Sequence, residues 1–206
     1  MVSSYPVQFD VDFPERPLNR LTTAFRLVVA IPIVVVLTML TGETLNGGDQ
    51  STRNELVIGG AAVFVPLVLM LVFRQKYPRW WFDWNLNLMR FSNRVTAYLA
   101  LLDDRYPSTD EEQSVHLDFA YPEARTMNRW LPLVKWLLAI PHYVVLLFLW
   151  LGAVAAVVVA WLAILITGRY PRSLFAYVVG VLRWTNRVNG YAFTLVTDQY
   201  PPFRLS

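Results

Sequence analysis

The sequence predicts an α-helical membrane protein with a small β element, built from two tandem repeats of one unit. Hydrophobic residues make up 55% of the 206 residues and charged residues only 16%, whereas soluble domains carry about 25% charged residues. Long apolar runs separate the charges, and ordered matches relate the two halves of the chain. A soluble fold of this composition would expose too much apolar surface, which a lipid solvent tolerates.

The apolar runs predict a transmembrane or re-entrant helical hairpin in each half. The first half has spans at about 24–41 and 56–73, each near the roughly 20 residues that a helix needs to cross a bilayer. The run from Trp136 to Thr167 is too long for one untilted span. Because cationic residues flank both of its ends and cationic flanks stay cytoplasmic, we expect a turn near Gly152, with spans at about 133–151 and 153–167.

The charges beside the first two spans predict the orientation of the chain. The connecting loop, Gly42 to Glu55, is net acidic, whereas the outer flanks are rich in Arg and Lys. The loop is therefore expected outside, with both termini cytoplasmic. The predicted location is the cell inner (plasma) membrane, crossed several times.

An internal repeat divides the chain into residues 1–110 and 111–206. Val7–Glu15 (VQFDVDFPE) matches Val115–Glu123 (VHLDFAYPE), and the order of the further matches is the same in both halves. These further pairs are Asn19-Arg20 with Asn128-Arg129, Ala30-Ile31-Pro32 with Ala139-Ile140-Pro141, Tyr77-Pro78-Arg79 with Tyr170-Pro171-Arg172, Arg90–Val95 with Arg183–Val188, and Asp104–Pro107 with Asp198–Pro201. Units that each cross an even number of times insert in one orientation, which predicts a pseudo-twofold axis along the membrane normal.

Each unit is expected to add an interfacial amphipathic helix and two short cytoplasmic strands. Apolar and polar residues alternate from Val7 to Phe13 and from Val115 to Tyr121, which predicts the first strand of each unit. After each Tyr-Pro-Arg, apolar residues recur every three or four positions, which predicts a helix. The second strands are expected at Tyr98–Leu102 and Tyr191–Thr197, so that four strands form a small sheet.

The second half carries motifs that resemble a bacterial, actinobacterial-type membrane family, domain-of-unknown-function family 4389. The motifs are Gly168–Arg172, Leu174-Phe175, Gly180–Trp184, Arg187–Asn189 and Tyr200–Phe203. The first half departs from the pattern, since Lys76 replaces the Gly-Arg ahead of Tyr77. The resemblance implies a membrane location, here with two tandem copies, and it implies no activity, cofactor or catalytic residue.

The repeated cations form the main candidate site: Arg90, Asn93 and Arg94 in the first half, and Arg183, Asn186 and Arg187 in the second. Helical spacing presents each triplet on one face. One interpretation is an anionic-lipid site, because guanidinium groups bind phosphate. The favoured alternative is a structural network with the repeated acids at Asp10, Asp118, Glu15, Glu123, Asp104 and Asp198.

The aromatic residues predict anchors at the membrane interface rather than a ligand site. The expected anchors are Trp80, Trp81, Trp84 and Trp184, since amphipathic rings favour the headgroup level. His142 and His116 are far apart in the sequence, so no metal site is expected. No cofactor is expected, and the chain has no Cys.

These features predict a non-catalytic integral membrane module, a scaffold or an accessory subunit, and not an enzyme, because no catalytic motif is found. Expected partners are membrane lipids and a homo-oligomer or larger membrane protein complex; nucleic acid is not expected, because the basic residues lie beside apolar runs. The alternative is a lipid or small-solute transporter or channel, formed at the repeat interface or in an oligomer. Converging polar residues such as Asn85, Asn87 and Arg90 would favour that alternative, and a dry, packed centre would favour the scaffold.

Overall fold

The computed structural model describes residues 5–41, 65–109 and 111–206. In these ranges the chain is mostly helical and has one two-stranded sheet. The elements in chain order are β1 (Val7–Val11), α1 (Arg20–Val29), α2 (Ile31–Thr41), α3 (Val65–Arg74), α4 (Arg79–Leu99), β2 (Val115–Phe119), α5 (Leu131–Leu138), α6 (Ile140–Thr167) and α7 (Arg172–Ala192). The expected outer loop, Gly42 to Glu55, and the first half of the expected span at 56–73 lie outside the described residues.

The sheet pairs β1 with β2 in antiparallel register, with Phe9 opposite Leu117. In both strands alternate residues are buried and exposed, which confirms the alternation predicted from sequence. The buried side chains lie against α4 and α7, and the exposed ones form a polar outer face with Asp10, His116 and Asp118. The sheet is therefore an amphipathic layer.

The other two predicted strands are wrong. α4 continues to Leu99 and α7 to Ala192, so Tyr98 and Tyr191 lie in helices. Beyond each helix end, Leu101 and Leu195 take positive φ values of 65° and 55°, a left-handed conformation that lies outside the β region. The periodicity of a short apolar run is compatible with a helix or with a strand. Here the preceding helix continues into the run, and no strand forms.

The hairpin predicted at Gly152 is also wrong, because α6 runs unbroken for 28 residues. At about 1.5 Å rise per residue it is about 42 Å long, enough to cross a roughly 30 Å bilayer core with tilt. A Cβ on Gly152 would lie 2.5 Å from Oη of Tyr177. The glycine therefore permits close contact with α7 instead of making a turn.

A single residue interrupts the apolar helices at equivalent points. α1 and α2 are separated at Ala30, and α5 and α6 at Ala139. In each case proline is the second residue of the next helix, at Pro32 and Pro141, where its missing N–H is tolerated. Across these breaks the stretches Arg20–Thr38 and Leu131–Thr167 are long and apolar enough to cross a membrane.

α7 lies between the sheet and α6. On the sheet side, a Cβ on Gly190 would lie 2.5 Å from Cγ2 of Val7. On the other side, Tyr177 donates a hydrogen bond to the carbonyl of Leu149 at 3.0 Å. The polar sheet face and the apolar α6 are thus held on opposite sides of one helix.

Candidate functional site

The centre of the site is a pair of buried asparagines where α4 meets α7. Nδ2 of Asn93 donates to Oδ1 of Asn186 at 2.8 Å, and Nδ2 of Asn186 donates to Oδ1 of Asn93 at 2.7 Å. Each amide uses its second N–H on a carbonyl of its own helix, at Met89 or Leu182. Every amide N–H of the pair is satisfied, so this buried contact fixes the register of the two helices.

Arg90 and Arg183 bind the strands in the same way on the two sides of the sheet. Nε of Arg90 donates to the carbonyl of Leu117 at 2.8 Å, and its Nη2 contacts Asp118 at 2.5 Å. Nε of Arg183 donates to the carbonyl of Phe9 at 2.9 Å, and its Nη2 contacts Asp10 at 2.8 Å. Since Phe9 and Leu117 face each other in the sheet, each guanidinium covers one outer edge of the sheet.

Arg94 and Arg187, one turn later, bind the segments that follow their helices. Arg94 donates to the carbonyl of Ser108 at 2.8 Å. Arg187 donates to the backbone oxygens of Arg204 and Ser206, at 3.3 and 2.9 Å. Burial lowers the pKa of Arg187, with smaller contributions from the positive charges of Arg183 and Arg204.

The repeated acids Asp104 and Asp198 bind two cations that the sequence prediction did not include. Arg26 forms an ion pair with Asp104, and Nζ of Lys135 lies 2.7 Å from Asp198. Both cations are fully buried, at 2% and 0% exposure. The sequence did contain a pattern that could have indicated these two cations, because Arg26 precedes Ala30 by the same number of residues as Lys135 precedes Ala139.

Both acids also bind the start of an apolar helix. A second oxygen of Asp104 accepts the backbone N–H of Asn19 at 2.7 Å, and that of Asp198 accepts the N–H of Asn128 at 2.7 Å. Each carboxylate therefore ties the segment after an amphipathic helix to the helix that carries its cation.

His142 lies inside an aromatic cluster. It is fully buried, its Nδ1 accepts the indole N–H of Trp184 at 3.0 Å, and its ring stacks on Phe203 at 4.0 Å. Among the described residues no group of three or more His, Asp or Glu side chains is placed to hold a metal ion.

The four tryptophans predicted as anchors differ in exposure, and Trp81 is partly buried. Trp80 and Trp84 are exposed, at 68% and 44%. Trp184 is 5% exposed, so its prediction as a surface anchor is wrong; its position on the α7 stripe faces the core. The sequence prediction missed Trp130 and Trp136, which are 66% and 50% exposed on and beside α5. Their position at the start of an apolar run was the available signal.

Two clefts border the sheet, one beside each Arg pair. The first has a volume of about 380 Å³ and lies between β1, α7 and the last residues, with Arg183, Arg187 and Arg204 in its lining. The second, of about 530 Å³, lies beside β2 and α4, with Arg90, Arg94 and Glu112 in its lining. The two clefts differ in charge, since each has two acidic residues in its lining but the first has three Arg and the second has two.

The fold and site define a mostly helical protein with a two-stranded sheet and two apolar helical stretches of membrane-spanning length. Residues 130–204 match the model of a family described as a domain of unknown function (DUF4389). The match covers α5, α6, α7 and the segment after them. No curated protein and no solved structure matches the chain.

Proposed function

We propose that the chain is a non-catalytic integral membrane module of two tandem units, a scaffold or accessory subunit that contacts lipid or a larger membrane complex. Its apolar helices lie in the bilayer, and its polar sheet face lies in water. The observation that carries the proposal is the outer face of α6.

α6 has a narrow inner face and a wide apolar outer face. Half of the buried residues on the inner face are alanines, at Ala153, Ala156 and Ala160. Facing outward, Phe148 and Leu151 are 66% and 62% exposed. A core helix of a soluble protein hides such residues, and a continuous exposed apolar face marks contact with lipid or with another protein.

The paired contacts support two tandem units. The equivalent pairs are Asn93 with Asn186, Arg90–Asp118 with Arg183–Asp10, Arg26–Asp104 with Lys135–Asp198, and the N–H groups of Asn19 and Asn128 on those two acids. Each unit places its strand on the amphipathic helix of the other, since β1 contacts α7 and β2 contacts α4. Such an exchange explains why neither half would be complete alone.

The centre of the molecule favours a scaffold over a transporter. Asn85 donates to the carbonyl of Trp81 in its own helix, and Asn87 is exposed. Asn87 and Arg90 line the surface cleft beside β2 and α4, but Asn85 does not, so the three residues do not form one polar path. The Asn93–Asn186 pair satisfies its own amides, as a packed interface requires.

The orientation remains part of the proposal. The cationic flanks of the first half favour cytoplasmic termini, whereas the equivalent argument for the second half depended on the turn at Gly152. A reporter fused to the N-terminus is expected to read cytoplasmic, and a reporter near Asp49 extracytoplasmic. The reverse pattern would overturn the orientation and leave the membrane location intact.

Alkaline carbonate extraction of cell membranes tests the membrane location. The wild-type chain is expected in the pellet. Leu151→Arg, which puts a charge on the outer face at a cost of about 2.5–3.5 kcal/mol in hydrocarbon, should lower the inserted fraction. Arg125→Gln changes an exposed charge away from the apolar helices and serves as the control. Wild-type protein in the supernatant would refute the proposal.

A further inference from the structure

The cleft beside α7 holds more positive charge than the carboxylates around it neutralise. Asp10 pairs with Arg183 at 2.8 Å, and Asp118, the other acid in the lining, pairs with Arg90 on the far side of the sheet. In the described part of the chain, Arg187 and Arg204 form no ion pair with an Asp or Glu side chain. Two guanidinium charges thus lie at one cleft without a compensating Asp or Glu side chain.

The two cations have complementary roles in the cleft. Arg187 is 7% exposed and is held by the backbone oxygens of Arg204 and Ser206. Arg204 is exposed, and its side chain makes no hydrogen bond with the described residues. One guanidinium is fixed and the other can move towards a ligand. The positive charge of Arg204 helps to lower the pKa of Arg187, which an anion between them would reverse.

The cleft lies at the level where α6 begins. Trp184 follows Arg183 directly and donates its indole N–H to His142, the third residue of α6. If α6 alone crosses the bilayer, with α5 lying at the interface on the other side of the break at Ala139, the first turn of α6 lies near the headgroups, and so does the Arg183 side chain. A phosphate group is the anion that this depth and planar guanidinium forks favour.

We propose that the cleft formed by Arg183, Arg187 and Arg204 binds a phosphate-bearing anion, with a phospholipid headgroup as the source that its depth favours. The cleft volume of about 380 Å³ falls within the roughly 300–1,000 Å³ of small-molecule sites. Arg183 stays on the strand and Asp10, Arg187 forms the fixed wall, and Arg204 closes on the phosphate. The headgroup source rests on the membrane location proposed above, whereas the phosphate chemistry does not.

The opposite cleft provides an internal comparison. It has the equivalent Arg90 and Arg94, but Glu112 lies in its lining, and Asp118 pairs with Arg90 at 2.5 Å. Two carboxylates there match two guanidinium groups, whereas the first cleft has two carboxylates and three guanidinium groups. One site per chain is therefore expected, not two, although the two Arg pairs are equivalent in sequence.

The test measures binding to the full-length chain in neutral detergent by native mass spectrometry. The two probes are short-chain phosphatidylglycerol and inorganic phosphate, and short-chain phosphatidylcholine, whose phosphate carries a compensating cation, is the comparison. Arg204→Gln is expected to weaken binding of the anionic probe about tenfold, the change that about 1.4 kcal/mol makes. Arg125→Gln removes an exposed Arg outside the cleft and is expected to leave binding unchanged.

The outcomes separate the two sources. One phosphatidylglycerol per chain, lost in Arg204→Gln, supports a headgroup site; one inorganic phosphate with the same dependence and no lipid preference supports a free phosphate. Arg187→Gln should weaken binding as well, and because that buried change can also reduce folding, the exposed Arg204 carries the test. Equal binding by wild type and Arg204→Gln, or an equal loss in Arg125→Gln, overturns the proposal. A wild-type chain that binds phosphate but leaves the membrane in carbonate overturns the membrane location only.

Discussion

Replacing one member of the Asn93–Asn186 pair should destabilise the fold more than replacing both. The two side chains are 8% and 2% exposed and exchange two hydrogen bonds of 2.8 and 2.7 Å. Leucine is close to asparagine in shape but offers no donor or acceptor. In Asn93→Leu, the amide of Asn186 therefore loses both hydrogen bonds to residue 93, keeps only its bond to the carbonyl of Leu182, and stays buried.

The magnitude follows from the two hydrogen bonds. Each contributes about 0.5–1.5 kcal/mol net, and a buried polar group left unsatisfied costs about 1–3 kcal/mol. Asn93→Leu and Asn186→Leu should each lower the free energy of unfolding by about 2–4 kcal/mol. The double variant leaves no orphaned amide and should lie within about 1 kcal/mol of wild type, a coupling of at least about 3 kcal/mol.

The assay is unfolding by SDS in mixed micelles, followed by tryptophan fluorescence, for the four members of the cycle. Single variants within about 0.5 kcal/mol of wild type would show that the pair is not sequestered at the helix crossing. A double variant as unstable as the sum of the singles would show that the residues act independently.

Two further changes test one contact within the second half of the chain and one contact between the two halves. Lys135→Met should lower the free energy of unfolding by about 2–3 kcal/mol, which is less than breaking a fully buried ion pair costs, because Asp198 is 27% exposed. Adding Asp198→Asn should recover part of the lost stability. A thermal midpoint that does not recover in the double variant would argue against the ion pair. Gly190→Ala should lower the free energy of unfolding by about 1–3 kcal/mol through overpacking, since its Cβ would lie 2.5 Å from Cγ2 of Val7. Adding Val7→Ala should relieve this clash. A double variant that is less stable than either single variant would refute the contact.

The elements with clear periodicity were predictable from the sequence. The alternation at Val7–Phe13 and Val115–Tyr121 predicted strands there, and the stripes after Tyr-Pro-Arg predicted α4 and α7. The unbroken course of α6 was not predictable, because flanking charges cannot distinguish one long helix from a helical hairpin. Gly152 was ambiguous for the same reason: a glycine inside an apolar run marks either a turn or a close contact, and only Tyr177 reveals which.

The candidate site was predictable in residue type more than in pairing. The matching sequence motifs indicated Arg90, Asn93, Arg183 and Asn186, but not that Asn93 would pair with Asn186. Arg26 and Lys135 were missed because a charged residue beside an apolar run was interpreted as part of the cationic flank of a membrane span. Their acidic partners, Asp104 and Asp198, also lie far away in the sequence. Arg204 was missed because its relevance depends on cations that only the fold brings together.

The most direct test of the membrane location is to measure whether the outer face of α6 is in contact with lipid or with water. The chain contains no Cys, so Leu151→Cys introduces a single site for a nitroxide label, and Arg125→Cys provides an exposed control. In reconstituted bilayers, collision rates at Leu151, which is 62% exposed, should be high with oxygen and low with a water-soluble nickel chelate, with the reverse at Arg125. Equal nickel accessibility at the two positions would place α6 in water and contradict the membrane assignment.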